Sequence, residues 1–161
     1  MKRKVNAIWK GDGIDGEGVL TAQSGAFNNM PYSFKTRFKN DDGQLGTNPE
    51  ELIAAALAGC FNMKLSFVLN EANFNPKELS TEALLTFVDG EVTSIDLKLH
   101  AKVPGITQEN FIKLAEADFI SDLKNSFVFK ENKYAGIYVY NYEKEAASSE
   151  LKLSAPLQMK A

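Results

Sequence analysis

Residues 46–61 read Gly46-Thr47-Asn48-Pro49-Glu50-Glu51-Leu52-Ile53-Ala54-Ala55-Ala56-Leu57-Ala58-Gly59-Cys60-Phe61. Asn48 is a good N-cap, because its short side-chain oxygen can accept the exposed N–H groups of a first helical turn. Pro49 suits the first helical position, where a missing N–H costs nothing. Glu51 stands three residues after the cap, the capping-box spacing, and two acids in the first turn oppose the positive end of the helix dipole. The pattern predicts a helix from Asn48 to about Asn70. From Leu52 to Phe61 this helix has no polar face, so it is expected to be buried on every side, at the centre of a fold or of an oligomer. Ala54, Ala55, Ala56, Ala58 and Gly59 are small enough to let another backbone approach closely.

Working outward, the preceding segments read as strands and turns. Val5, Ala7 and Trp9 alternate with Asn6 and Lys10, the two-residue period of a half-buried strand. Gly and Asp at residues 11–13 and 15–16 mark turns. Gly18 to Gln23 reads as a second strand and Tyr32 to Phe38 as a third, closed by the turn cluster Asn40-Asp41-Asp42-Gly43. Beyond the helix, Leu79–Val88 and Val92–Val103 form a hairpin turned by Asp89-Gly90. Ile95, Leu97, Leu99 and Ala101 share one face of its second strand, opposite Asp96, Lys98, His100 and Lys102. Thr107 can cap a helix from Gln108 to about Ala117, Ser121–Ser126 adds a short helical piece, and Tyr134–Tyr142 reads as a last strand. The mixed order of elements gives an α+β class. Residues 1–142 are expected to form one domain, followed by a tail, 143–161, rich in Ala, Ser, Lys and Glu.

The chain of 161 residues is 44% apolar and 24% charged, an ordinary globular composition. Its formal charge of −3, with Arg3 and Arg37 as the only arginines, argues against nucleic acid as a partner. The basic start leads into no apolar stretch of a signal peptide. The longest unbroken apolar run, Leu52–Phe61, is about half of a membrane-spanning helix, so no membrane association is expected. A single cysteine excludes an intrachain disulfide and any multi-thiolate zinc site, and fits a reducing cytoplasm. His100 falls on the polar face of its strand, which suits a solvated histidine, and no second histidine accompanies it. No metal or cofactor is expected.

Cys60 then becomes the residue to explain. A lone cysteine on an apolar helix serves well as a small buried hydrophobe. A reactive one needs a cation or a helix N-terminus to favour the thiolate, and access for substrate. Cys60 lies too deep in its helix for the dipole to act. Arg37 is therefore the candidate cation, since a guanidinium keeps its charge where a buried lysine would shed it. Glu50 and Glu51 suit a helix start on structural grounds alone, but a carboxylate can also hold a guanidinium through paired hydrogen bonds. Ten residues of helix place Glu50 roughly 15 Å from Cys60. If the two share a site, it forms where two such helices run antiparallel, one from each subunit of a two-fold dimer.

The motifs Ser24-Gly25, Pro31-Tyr32-x-Phe34-x-Thr36-Arg37-Phe38, Gly46-Thr47-Asn48-Pro49-Glu50-Glu51-Leu52 and Ala58-Gly59-Cys60-Phe61, in this order, resemble the OsmC/Ohr family and specifically its OsmC branch. Trp9-x-Gly11 and Val103-Pro104-Gly105 fit the same pattern. The resemblance implies an intertwined α+β homodimer, with antiparallel sheets around long central helices and sites at the subunit interface. It implies peroxidase activity on organic hydroperoxides and, more weakly, hydrogen peroxide. On that resemblance Cys60 is the peroxidatic cysteine, Arg37 the residue that stabilises its thiolate, and Glu50 the acid that holds the arginine. One departure stands out. Members of the family usually carry a second cysteine that closes a disulfide with the first, and here Phe119 or a direct neighbour occupies that position, with Ile120 in place of a proline.

The expected chemistry is attack of the Cys60 thiolate on a hydroperoxide, giving an alcohol and a sulfenic acid. Leu57, Phe61 and Phe119 are expected to line the approach of an alkyl tail. An external thiol, or the lipoyl reductant the family suggests, must then reduce Cys60. Two other functions remain open at this stage: a non-catalytic scaffold binding a small apolar ligand, and a one-cysteine redox sensor.

Overall fold

The structure is a computed structural model that describes residues 1–39, 46–125 and 137–141, with side chains described as far as residue 117. Its elements are β1 (Val5–Lys10), β2 (Glu17–Ala22), β3 (Met30–Ser33), α1 (Phe34–Phe38), α2 (Pro49–Glu71), β4 (Glu78–Val88), β5 (Glu91–Lys102), α3 (Gln108–Asn125) and β6 (Ile137–Asn141). They fall into two compact units, Met1–Ile53 and Ala54 onward. The α+β class follows directly. The expected turn at Asn40–Gly43 and the tail 143–161 lie outside the described residues.

In the first unit β1, β2 and β3 form an antiparallel sheet in that order. Trp9 pairs with Gly18, and Gly18 pairs with Tyr32. The two rings meet across the glycine, with centroids 5.3 Å apart. A Cβ on Gly18 would run into the Tyr32 ring and stand 2.6 Å from the Ile8 carbonyl. Only a residue without a side chain lets the sheet close there. The turn between β1 and β2 is tied by Asp12: its Oδ1 accepts the N–H groups of Ile14 (3.0 Å) and Asp15 (2.8 Å), and its carbonyl accepts the Trp9 indole N–H (3.1 Å).

One expectation is corrected here. Residues 32–38 do not make a single strand; β3 stops at Ser33 and a helical turn, α1, follows. Ser33 Oγ accepts the N–H of Thr36 (3.1 Å), while Thr36 Oγ1 accepts the N–H of Ser33 (2.8 Å). This reciprocal capping box satisfies the backbone donors that a continuing strand would have needed to pair. The alternating aromatic residues mimic a strand, but the two hydroxyls start a helix.

The second unit holds the apolar core. Leu57, Phe61, Leu65 and Leu69 of α2 are buried together with Ile95, Leu97, Leu99 and Ala101 of β5, Val103, and Phe111 and Ala115 of α3. The β5 alternation is thus as expected, with its apolar residues turned inward. The hairpin turns at Asp89 (φ 51°) and Gly90 (φ 85°), the left-handed pair that matches the twist of the flanking strands. Thr107 caps α3 through its hydroxyl, which accepts the Asn110 N–H at 3.3 Å. α3 runs unbroken to Asn125, where two helical pieces were expected. It serves as the crossover that lets β6 lie parallel to β5, Leu97 opposite Ile137.

The burial of α2 differs from expectation. Within this chain one stripe is buried, while Ala55, Ala56 and Gly59 are exposed, with Met63 and Phe67 at 64% and 57% exposure. One chain supplies apolar cover for one side of a helix that is apolar all round. α2 ends in a Schellman turn, with Asn73 in the left-handed conformation (φ 64°) and the Phe74 N–H donating to the Leu69 carbonyl at 2.8 Å. By length and composition alone, its 23 residues would suffice to cross a membrane. The isolated polar residues beyond Phe61 interrupt the apolar run without making the whole helix polar.

Candidate functional site

Arg37 and Glu50 are carried to each other by two local devices. The first is the Ser33–Thr36 cap, which turns the chain after β3 so that Arg37 falls near the end of α1. The second is the start of α2. Asn48 Oδ1 accepts the Glu51 N–H at 2.8 Å, so Asn48 is the N-cap the sequence predicted. The buried Thr47 donates its hydroxyl to Glu51 Oε2 at 2.7 Å. A parallel bridge between Tyr32 and Thr47 joins the end of β3 to this cap. Gly46 makes the approach possible. It has a left-handed φ of +129°, and a Cβ there would stand 3.0 Å from the Pro31 carbonyl.

The result is a forked ion pair. Arg37 Nε donates to Glu50 Oε1 (3.2 Å) and Oε2 (3.0 Å), and Nη2 donates to Oε1 as well. Both carboxylate oxygens are engaged, which fixes the plane of the guanidinium as no single contact could. The Glu50 side chain is 15% exposed and that of Arg37 34% exposed. The guanidinium carbon also lies 4.8 Å from the centre of the Phe38 ring, which itself packs on Phe34 at 4.7 Å. Arg37 is thus held from a second direction by a cation–π contact.

Cys60 sits in the middle of α2 and is half-buried, on the edge of the buried stripe. Leu57 and Phe61, its apolar neighbours, are 5% and 1% exposed and belong to the chain's own core. Phe119 falls within α3, beyond the described side chains. Among the described residues no group of three or more His, Cys, Asp or Glu side chains is placed to hold a metal ion.

Sequence reasoning passed over Thr47, Phe38 and Thr36, which position the pair. Two of these had a readable signal: Thr47 and Glu51 are four apart across a helix start, and Ser33 and Thr36 have cap spacing. Phe38 had none beyond adjacency to Arg37.

The profile of the OsmC-like protein family matches residues 40–127. The chain belongs to the OsmC family. Glu50 and Cys60 lie inside the matched stretch and Arg37 just before it. This OsmC-family chain is 45% identical over 115 residues to the peroxiredoxin OsmC of Escherichia coli, an alignment covering 69% of this chain and 78% of that protein. Among solved structures it resembles the organic hydroperoxide resistance protein OhrB of Bacillus subtilis, at 24% identity and a TM-score of 0.60, over 86% of this chain and 98% of the other. An OsmC-like protein of Mycoplasma pneumoniae matches with a TM-score of 0.64 at 12% identity, over 89% and 99%. These structural likenesses establish the OsmC fold.

Proposed function

We propose that this chain is a thiol peroxidase that reduces organic hydroperoxides, and hydrogen peroxide more weakly, through Cys60. The observation that carries the proposal is the Arg37–Glu50 fork. A carboxylate that holds a guanidinium on both oxygens leaves little for a structural role alone to explain, since Glu50 also sits where a helix start is already satisfied by Asn48 and Glu51. The 45% identical relative being a named peroxiredoxin points the same way.

In this mechanism Arg37 favours the Cys60 thiolate, which attacks the distal oxygen of the hydroperoxide. The S–O bond forms as the O–O bond breaks, and the departing alkoxide takes up a proton and leaves as the alcohol. The charge on Arg37 faces that developing anion, and Glu50 keeps the guanidinium from turning away. Leu57 and Phe61, buried in the chain's own core, form the apolar floor beneath the thiol. Cys60 is left as a sulfenic acid. With one cysteine in the chain, an external thiol must attack that sulfur, releasing water and forming a mixed disulfide, and a second thiol then restores Cys60. A lipoyl dithiol supplies both thiols in one molecule. A reducing cytoplasm supplies the setting.

The functional unit is a homodimer. Glu50 and Cys60 are roughly 15 Å apart along one helix, so an Arg37–Glu50 pair serves the Cys60 of a second copy, giving two equivalent sites about a two-fold axis. The exposed Ala55, Ala56, Gly59, Met63 and Phe67 supply the surface for that contact.

The test is stopped-flow consumption of cumene hydroperoxide. Cys60→Ser abolishes it, and Arg37→Ala slows it by about two orders of magnitude or more, the scale of losing a preorganised charge at the reacting centre. Dimedone traps a sulfenic acid after one equivalent of peroxide. Variants as fast as the parent would remove the assignment. The lack of a second cysteine favours one other reading, a scaffold that binds a small apolar ligand without turnover. A Cys60 thiol titrating near ~8.5, as in a free cysteine, would select it.

A further inference from the structure

An α-helix that is apolar on every side has no pattern to tell it which face to bury. α2 is such a helix from Leu52 to Phe61, and the exposure of Cys60 within that run depends on the rotation of the helix about its axis. Asn62 supplies the missing instruction. Its Nδ2 donates to the Leu79 carbonyl at 3.3 Å, and its Oδ1 accepts the hydroxyl of Thr81, both on β4. All three residues are part-buried or face the core side of that strand. Ser66, by contrast, bonds within the helix, to the Met63 carbonyl.

At about 100° per residue, Asn62 and Cys60 project about 200° apart. They therefore occupy opposite flanks of the buried stripe formed by Leu57, Phe61, Leu65 and Leu69. Turning Asn62 toward the core turns Cys60 outward, toward the face of α2 that carries Ala56, Met63 and Phe67; turning Asn62 out carries Cys60 inward. We infer that Asn62, held by Thr81 and the Leu79 carbonyl, is a positioning residue that fixes the rotation of α2 and so sets how far the Cys60 thiol is presented. A single polar anchor in an otherwise apolar contact is a known way to specify register where hydrophobic burial does not. The consequence for peroxide turnover rests on the peroxidase reading above; the consequence for thiol presentation does not.

The test uses opposite signs. Asn62→Leu replaces the amide with an apolar side chain of similar size that favours burial, so α2 turns Cys60 outward. Thr81→Val leaves the Asn62 carbonyl oxygen without its donor, so the amide turns toward water and Cys60 turns inward. The rate of Cys60 alkylation by iodoacetamide, in the folded full-length chain, is expected to rise about tenfold in the first variant and fall about tenfold in the second, because access and thiolate character control such rates. Thr81→Ser keeps the hydroxyl and is expected to keep the parent rate. Simple loosening of the fold would speed alkylation in both variants. Changes of the same sign, or rates within about twofold of the parent in both, would overturn the inference. If Asn62→Leu does not fold, the Thr81→Val and Thr81→Ser pair decides alone: equal rates overturn the inference, and a slow valine with a normal serine supports it. A parent protein that alkylates normally but consumes no cumene hydroperoxide would remove the peroxidase reading and leave this comparison intact.

Discussion

The guanidinium of Arg37 engages both carboxylate oxygens of Glu50 within one chain, thirteen residues apart in sequence. A flat, two-pronged contact of this kind separates the roles of charge and shape. Arg37→Lys keeps the charge but replaces the fork with a point donor on a flexible stem. Its rate of cumene hydroperoxide consumption is expected to lie much closer to that of Arg37→Ala than to the parent. Glu50→Gln keeps the size and one acceptor oxygen, and is expected to slow the reaction by about tenfold, less than loss of the arginine itself. Thermal stability should barely move in any of these, because the pair is partly solvent-exposed and such pairs contribute about 0–1 kcal/mol. Differential scanning calorimetry beside stopped-flow kinetics reads both quantities. A lysine variant with parent activity would show that orientation is irrelevant.

The outward face of α2 makes a second prediction. Met63 and Phe67 are more than half exposed in the single chain, in line with the small residues Ala56 and Gly59. Covering two such side chains in a dimer contributes on the order of 1.5–3 kcal/mol each. Sedimentation equilibrium is expected to give a dimer for the parent chain and a monomer for the double variant Met63→Glu and Phe67→Glu. If the site takes Cys60 from one copy and Arg37 from the other, the monomer also loses peroxide consumption. A monomeric parent with full activity would refute the shared site.

Gly18 offers a test of the sheet in the first unit. A methyl group there meets the Tyr32 ring and the Ile8 carbonyl, which is backbone and cannot swing aside. Gly18→Ala is therefore expected to cost about 1–3 kcal/mol, the range for forcing extra volume into a packed contact. Gly13 meets nothing within 4 Å at the same position of a Cβ, so Gly13→Ala serves as the control and should stay within about 0.5 kcal/mol of the parent. Urea unfolding curves with unchanged slopes would make the comparison valid.

How much of this was readable beforehand depends on whether the information is local. The cap at Asn48, the turn at Asp89-Gly90 and the inward face of β5 are written in residues that act within a few positions of each other, and each is where the sequence placed it. The span 32–38 reads as one strand because Tyr32, Phe34 and Phe38 supply a strand-like alternation, while the deciding contacts are two small hydroxyls, Ser33 and Thr36, whose effect on the backbone outweighs it. The Arg37–Glu50 contact was suggested by resemblance rather than by spacing. The two caps that present Arg37 and Glu50 are local, but what joins them is the Tyr32–Thr47 bridge, a pairing between separate segments that no local pattern encodes. The composition of α2 tells how apolar the helix is but not which of its faces this chain covers. Asn62 illustrates the same limit: as one polar residue in an apolar run it looks like an interruption, and its role is visible only once β4 lies beside it.

Asp12 makes the last prediction, because its charge is tied to a turn that the only tryptophan reports on. The N–H groups of Asp15 and Ile14 donate to its carboxylate and hold its carboxyl below the usual aspartate value of 3.8, against a small opposing effect of burial. A carboxyl with a folded value below its unfolded one stabilises the folded turn when ionised. That contribution is complete at neutral pH, begins to fade as the pH approaches ~3.9, and is lost as the pH falls through the folded value. The Trp9 indole N–H bonds to the carbonyl of the same residue at 3.1 Å, so loosening the turn changes the indole's surroundings. Trp9 fluorescence, followed from pH 7 downward, is expected to show a transition in the acid range that precedes global unfolding seen by circular dichroism. In Asp12→Asn the amide oxygen still accepts both N–H groups but cannot take up a proton, and the early transition is expected to disappear. An identical acid transition in that variant would place its origin in another carboxyl.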